Sequence, residues 1–259
     1  MKISPHTNPL ADTTNERKIV MEIHDLRKSF GNNHVLNGFN MKLYQGENLV
    51  IMGKSGSGKS VMIKCLIGLI IPDSGSINVM GKDISKLDRK SLDELRSEIG
   101  FLFQGSALYD SMTVRENLEF PLRRHTKRFK KDLDSNAMVL EALENVGLAE
   151  AIDLMPAELS GGMKRRVALA RTLIMFPKII LYDEPTSGLD PITSKEIIQL
   201  MLRIQKKYNT SSLIITHDVD CARVISDRMI LLVDGINYAE GTYEELLKSK
   251  DEKIKAFFK

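Results

Sequence analysis

The chain has 259 residues, of which 42% are hydrophobic and 27% charged, an ordinary composition for a globular protein able to bury a sizeable core. Its formal net charge of +3 is too small to argue for nucleic-acid binding. The two cysteines, Cys65 and Cys221, are far apart and give neither a disulfide framework nor a zinc site, so we expect a reducing compartment.

The N-terminal segment, residues 1–18, is rich in Pro, Thr and Asn and contains no signal-peptide core, so we expect a disordered tail. Residues 19–26 alternate partly and residues 41–44 follow a glycine-containing break, which predicts antiparallel strands. The longest apolar run, residues 66–71, ends at Pro72 and is much shorter than the ~20 residues that cross a bilayer. Any membrane role is therefore expected to come through a partner.

The most informative segment is a glycine-rich loop that follows an apolar run, residues 49–52, and precedes a helix-like stretch, residues 61–67. Backbone N–H groups of such a loop wrap phosphates, and the positive end of the next helix faces them. Lys59 reaches the terminal phosphates as a point charge, and the Ser60 hydroxyl is placed to ligate Mg²⁺. The segment therefore predicts a nucleoside triphosphate site. Its expected contact residues are Gly53, Lys54, Ser55, Gly56, Ser57, Gly58, Lys59, Ser60 and Val61.

The rest of the chain alternates between strand-like and helix-like patterns. Residues 75–81 and 99–103 predict short strands, and the pattern from 113 to 171 is helical, which indicates a helical insert. Asp190 followed by Pro191 is typical of a helix start, because Asp caps the helix and Pro fits its first position. Apolar runs typical of parallel strands covered on both faces lie at residues 179–182, 213–215 and 229–233.

Two adjacent carboxylates, Asp183 and Glu184, end one of these apolar strands. At the carboxyl end of a core strand beside a phosphate loop, Asp183 is expected to hold Mg²⁺ through water. Glu184 is expected to polarise an attacking water. The pair therefore predicts an ATPase.

The segment Leu159-Ser160-Gly161-Gly162 lies between the phosphate loop and the acidic strand. With the motifs in this order, the chain resembles the nucleotide-binding subunits of ATP-binding-cassette (ABC) transporters. The resemblance implies that this segment of one subunit covers the γ-phosphate held by Lys59 of another, since N–H groups at a helix N-terminus suit an anion. It also assigns adenine stacking to Phe30, Mg²⁺ contact and permease sensing to Gln104, and the role of switch histidine to His217. The loop between paired subunits is assigned to Ser187-Gly-Leu-Asp190.

The resemblance covers residues 19–247 and implies an α/β fold, a P-loop NTPase core with a mostly parallel sheet flanked by helices. An antiparallel β subdomain and an inserted helical subdomain at about 105–175 are part of that expectation, and residues 248–259 are expected to form a C-terminal helical tail. Because both halves of the shared site are intact, we expect a homodimer with two competent sites. ATP and Mg²⁺ are the implied cofactors, and the implied partner is a permease that holds the chain at the cytoplasmic face of the inner membrane.

The prediction of the cargo depends on motifs that are less specific than those of the ATP site. Most members of the family have Gln after the glycine pair, whereas this chain has Met163. Together with residues 104–109, 113–117 and 188–193, this departure resembles the branch that serves MCE-protein lipid transporters, the Mla-type phospholipid systems, and implies phospholipid cargo and an MCE-type lipid-binding partner. Another cargo, such as an amino acid or lipoprotein, or a non-transport ABC ATPase, stays open, and no nucleic-acid partner is expected. The basic stretch at 123–131 fits a solvated helix face or a contact with anionic headgroups or a permease loop.

Overall fold

The computed structural model describes residues 17–125, 128 and 134–258. Residues 1–16 of the expected tail therefore lie outside the described residues, and so do positions 126, 127 and 129–131 of the basic stretch. The strands are β1 (Ile19–Phe30), β2 (Asn33–Tyr44), β3 (Asn48–Met52), β4 (Ser74–Val79), β5 (Lys82–Asp83), β6 (Ile99–Leu102), β7 (Ile179–Asp183), β8 (Ser211–Thr216), β9 (Arg228–Val233) and β10 (Ile236–Gly241). The helices are α1 (Lys59–Leu66), α2 (Arg89–Arg96), α3 (Val114–Arg124), α4 (Ser135–Asn145), α5 (Gly161–Leu173), α6 (Pro191–Tyr208), α7 (Val219–Ile225), α8 (Tyr243–Leu247) and α9 (Glu252–Lys255).

A four-stranded antiparallel sheet has the strand order β2-β1-β4-β5. The antiparallel strands predicted at residues 19–26 and 41–44 are confirmed, but both are longer than expected. β2 begins at Asn33, and its buried residues include Leu36 and Phe39. Register shifts in its pairing with β1 break the alternation of buried and exposed positions, so the sequence pattern reveals only the last part of the strand.

A second, six-stranded sheet has the order β10-β9-β3-β8-β7-β6. β3 pairs parallel with β8 and β9, and β7 pairs parallel with β8 and β6. Alternate residues of the central strands pack into two separate hydrophobic clusters, which explains the near-continuous apolar runs of the sequence. Because the five strands β9, β3, β8, β7 and β6 are parallel, their carboxyl ends lie side by side at one edge of the sheet.

Capping chemistry sets where the helices begin. α1 starts at Lys59, earlier than the helix-like stretch at 61–67 predicts, because Gly58 occupies its cap position. α5 starts at Gly161, where the Ser160 side chain caps it. α6 begins at Pro191 with Asp190 as its cap, as predicted. Among the helices of the described residues, none combines the length and the apolar character needed to cross a membrane.

Both cysteines are buried, and their local environments predict low reactivity. Burial raises the pKa of Cys65 to about 11 and that of Cys221 to about 12. Since the thiolate is the reactive form, we expect neither thiol to react with Ellman's reagent in the native protein near neutral pH, and both to react in denaturant. Lys90→Cys places a thiol at an exposed position and is the positive control. Native reaction of the wild-type thiols as fast as that of the control would contradict this burial.

Candidate active site

A cavity of about 520 Å³ lies at the edge of the sheet where the carboxyl ends of the parallel strands meet. Its lining residues come from the β1–β2 hairpin, the phosphate loop and the segments that follow β6, β7 and β8. They are Phe30, Val35, Ser55, Gly56, Ser57, Gly58, Lys59, Ser60, Val61, Gln104, Asp183, Glu184 and His217. The fold thus brings together most of the residues predicted to bind the nucleotide, and it adds Val35, for which the sequence gives no local signal.

Six predicted residues do not line this cavity. Gly53 and Lys54 belong to the phosphate loop, where their carbonyl oxygens face the lysine that closes it. The other four lie at the beginnings of two helices: Ser160, Gly161 and Gly162 at α5, and Asp190 at α6.

The phosphate loop has a backbone that only glycine adopts without strain. Gly56 and Gly58 have φ angles of +80° and +103°, in the region that disfavours side chains. A Cβ atom at Gly58 would also lie 2.9 Å from the carbonyl oxygen of Val35. Lys59 Nζ donates to the carbonyl oxygens that begin the loop, at 2.5 and 3.0 Å, so its ammonium lies across the loop. Ser57 Oγ is buried without a hydrogen-bond partner among the described residues. The loop therefore fits a phosphate-bearing ligand.

The charges in the cavity favour a bound cation. Burial and the charge of Glu184 raise the pKa of Asp183, while Lys59 opposes that rise. Burial also lowers the pKa of Lys59, against the attraction of both carboxylates. Two partly buried carboxylates next to each other repel, and a divalent cation relieves that repulsion.

The donor set suits Mg²⁺. The hydroxyl of Ser60, the side-chain amide of Gln104 and the carboxylate of Asp183 line one cavity and offer the oxygen ligands that Mg²⁺ prefers. Within the part of the chain that the structure describes, no cluster of three or more His, Cys, Asp or Glu side chains could hold a metal by itself. Mg²⁺ usually takes few protein ligands and completes its shell with phosphate oxygens and water.

Glu184 has a strained backbone that fixes the direction of its carboxylate. Its φ angle is +49°, a left-handed conformation that costs a non-glycine residue roughly 1–3 kcal/mol. The Glu184 N–H donates to the Ile215 carbonyl oxygen at 2.8 Å, which ties this turn to β8. The carboxylate oxygen Oε2 lies 2.9 Å from His217 Nδ1 and accepts from the His217 backbone N–H at 3.4 Å. A carboxylate held in this way can accept a proton from a water molecule in the cavity.

The beginnings of α5 and α6 pack against each other. Ser160 and Gly161 are exposed, and Ser160 Oγ accepts the Met163 N–H at 3.2 Å, which caps α5. Asp190 caps α6, and the Thr193 hydroxyl donates to its Oδ2 at 2.5 Å, which helps to lower the pKa of Asp190. Gly162 lies directly against Thr193: a Cβ atom at Gly162 would be 2.6 Å from Thr193 Cγ2.

Comparisons with known proteins decide the family. The ABC transporter family model matches residues 36–187. This chain belongs to the ABC transporter family. The predicted fold class is therefore confirmed. The chain is the ATPase subunit of a transporter, and it binds ATP.

Curated relatives and solved structures of ABC proteins match over most of this chain. The probable ribonucleotide transport ATP-binding protein mkl of Mycobacterium leprae is 41% identical over 92% of this chain and 68% of the relative. The intermembrane phospholipid transport system ATP-binding protein MlaF of Haemophilus influenzae is 38% identical over 93% and 90%. The methionine import ATP-binding protein MetN of Brucella abortus is 40% identical over 86% and 59%. The dimeric ATP-binding cassette MJ0796 bound to ADP and Pi has a TM-score of 0.77 at 32% identity, covering 86% of this chain and 98% of that one.

The contact between Gly162 and Thr193 gives a stability prediction. Gly162→Ala forces a methyl group into Thr193, which cannot turn away without losing its hydrogen bond to Asp190, so we expect a loss of about 1–3 kcal/mol. Thr193→Ser removes Cγ2 and keeps the hydroxyl, so the double variant should regain most of that loss. Gly161→Ala, whose Cβ would be 3.7 Å from its nearest neighbour, is the matched control. Urea denaturation measures the stability of both alanine variants, of Thr193→Ser and of the double variant. Equal stability of the two alanine variants would contradict the packing.

Proposed function

We propose that this chain, with residues 19–247 as its ATPase domain, powers a membrane lipid transporter and hydrolyses ATP as a homodimer. The proposed dimer depends on the separation of the start of α5 from the ATP cavity. The cavity unites the phosphate loop with Glu184 and His217, whereas the start of α5 at Ser160 is exposed and lies outside it. N–H groups at a helix N-terminus suit an anion, so the α5 start of a second copy would cover the γ-phosphate. The dimeric state of the similar cassette MJ0796 supports this arrangement.

Each group in the cavity has a part in binding. The ring of Phe30, exposed at the tip of the β1–β2 hairpin, offers its face to adenine, and Val35 lies in the same cavity. The loop N–H groups and Lys59 hold the phosphates by charge-assisted hydrogen bonds. Ser60, Gln104 and Asp183 would hold Mg²⁺, which neutralises charge on the phosphate oxygens when it is bound.

For hydrolysis, we assign the role of general base to Glu184. Its carboxylate is fixed by the left-handed turn and by the contact with His217, so it can orient a water molecule and accept its proton. His217 acts as the switch that holds this carboxylate. Asp190, at the start of α6, would lie in the loop between the two subunits.

The permease would dock in an aromatic groove that begins beside the cavity. Adjoining hollows of about 460 and 330 Å³ are lined by Phe101, Phe103, Phe120 and Pro121. Exposed apolar side chains around such a groove mark an interaction site, and Phe103 is 43% exposed here. Because Phe103 directly precedes Gln104, a permease loop seated in the groove would contact the same segment that lines the ATP cavity.

The proposed cargo is a phospholipid, handled with an MCE-type lipid-binding protein, and the proposed location is the cytoplasmic face of the inner membrane, reached through the permease. The match to MlaF supports this, because it spans 90% of that relative as well as 93% of this chain. Met163 also supports it as the branch-specific departure, and its partly buried side chain packs against the core. Import of an amino acid is the second candidate, favoured by the 40% identity to MetN.

Two inactive variants test the shared site. Lys59→Ala removes the positive charge of one phosphate loop, and Ser160→Arg blocks the surface that would cover the partner's nucleotide. Each alone should lose nearly all ATPase activity. A mixture should recover roughly a quarter of the wild-type rate, because with random pairing half of the dimers are mixed and each mixed dimer keeps one intact site. Steady-state phosphate release measures the rate, and mixed dimers that stay inactive would contradict the shared site.

Affinity purification from native membranes tests the docking groove and the cargo together. The tagged chain should retain a polytopic permease, and mass spectrometry of the complex should find an enriched glycerophospholipid. Phe103→Ser should lose most of the permease, since it removes an aromatic anchor from the groove. Phe176→Ser is the matched control, because Phe176 is also exposed, at 50%, but lines a hollow at the other end of the parallel strands.

The two parts of that proposal fail separately. A permease that is retained equally by both serine variants would contradict the groove as the docking site. A retained permease whose complex carries methionine or another amino acid, with no enriched lipid, would overturn the phospholipid cargo and favour the second candidate. The ATPase assignment would be untouched by either result.

A further inference from the structure

A buried arginine of α5 joins two loops that the proposed mechanism uses. Arg165 is only 4% exposed. Its guanidinium Nη1 donates to the Phe103 carbonyl oxygen at 2.6 Å, and Nη2 donates to the Ser187 carbonyl oxygen at 3.3 Å. One side chain therefore connects α5 to the segment after β6 and to the segment after β7.

These two carbonyl groups belong to the segments that carry Gln104 and Asp190. Phe103 directly precedes Gln104, and Ser187 lies in the short turn that leads to Asp190. The segments also touch each other, because Gln104 Nε2 donates to Ser187 Oγ at 3.3 Å. Arg165 thus holds both segments at the point where they meet.

The energetics of Arg165 argue against a purely structural part. Its Nε is buried and has no hydrogen-bond partner among the described residues, and burial lowers its pKa. A buried charge with an unpaired donor costs free energy that an apolar side chain of similar size would not cost. The side chain is therefore better explained by the geometry it imposes than by the stability it contributes.

A second arginine of the same helix holds the far end of the first segment. Arg171 donates to the carbonyl oxygens of Ser106 and Ala107 at 3.1 and 2.8 Å. Both of those residues have positive φ angles, +60° and +49°, so the turn they form is strained and needs external support. The segment from Phe103 to Ala107 is consequently bound to α5 at both ends, and it cannot shift without acting on that helix.

We propose that Arg165 is a positioning residue that makes α5 move as one body with the segments carrying Gln104 and Asp190. The inference rests on the proposed function, since it concerns the start of α5 as the cover of the partner's nucleotide. A permease loop that displaces Phe103 in the groove would then shift Ser160 at the other subunit's site through Arg165. The hydrogen bonds of Arg165 go to Phe103 and Ser187 and not to the phosphate loop or Phe30, so the groups that hold the adenine and the phosphates should still bind ATP in a single subunit when Arg165 is replaced.

Enzyme kinetics on the purified chain test this role. Arg165→Met should lower kcat by about 10- to 100-fold, while the KM for ATP and the Kd of ATP stay within about 3-fold of wild type. Arg165→Lys should fall between wild type and Arg165→Met, because one ammonium reaches only one of the two carbonyl oxygens. Arg166→Met is the matched control: Arg166 follows on the same helix but donates to Val146 and Glu196, and it should change kcat by less than about 3-fold.

A double-mutant cycle with Gln104→Ala links the effect to that segment. If Arg165 acts by positioning Gln104, the double variant should be about as slow as the slower single variant rather than slower by the product of both. A multiplicative loss would overturn the link. Full activity of Arg165→Lys would also overturn the proposal, because it would mean that charge alone is sufficient.

Stability and a reference variant separate the remaining outcomes. Urea denaturation of Arg165→Met should show a cooperative transition, and a kcat loss accompanied by an equal loss of ATP affinity would point to general damage and overturn the proposal. Lys59→Ala serves as the reference for the proposed function. If Lys59→Ala hydrolyses ATP like wild type, the assignment of the site fails. If it is inactive and Arg165→Met matches Arg166→Met, only the inference about Arg165 fails.

Discussion

Parallel pairing of β3 and β7 with β8 is the constraint on which the site depends. Each of these strands is buried on both faces, and alternate residues enter two separate hydrophobic clusters. A shift of one strand by one residue would exchange the two sets of side chains, so the register is strongly fixed. The phosphate loop and His217 follow directly on β3 and β8, and the carboxylate pair lies at the end of β7, so the distances among them are set by core packing. The loops supply chemical groups, and the sheet supplies their positions.

The arrangement of the polar groups at this edge of the sheet costs free energy. Asp183 and Glu184 are adjacent carboxylates, partly removed from water, and Lys59 is half-buried between them and the loop carbonyls. The left-handed backbone of Glu184 adds strain. Such strain is typical of functional sites, where surrounding structure holds a residue in a conformation that it would not choose alone. Here the hydrogen bond from the Glu184 N–H to the Ile215 carbonyl oxygen of β8 provides that support, so the core stabilises the backbone conformation of the proposed general base.

The sequence predicts motifs formed by neighbouring residues well, and it predicts contacts between distant segments poorly. The phosphate loop, the Asp183-Glu184 pair and the Asp190 cap are each encoded in neighbouring residues, so their local structure follows from the pattern. The buried contacts of Arg165 with Phe103 and Ser187 join segments that are 62 and 22 residues apart in the chain. Nothing local distinguishes Arg165 from a basic residue on a solvated helix face. The same holds for Val35, which a strand pattern marks only as apolar.

The features that would select the cargo differ from those that bind and hydrolyse ATP. Relatives that are named for phospholipid, methionine and ribonucleotide transport have similar identities to this chain, between 38% and 41%. Overall similarity therefore cannot separate them, and a cavity built for a triphosphate gives no reason to distinguish cargoes. The surface that can do so is one that meets a partner, and the groove around Phe103 lies beside Gln104 and is tied to α5 by Arg165. If partner choice and the closing of the ATP site share this one segment, a permease that fits the groove poorly would also fail to bring Ser160 into position.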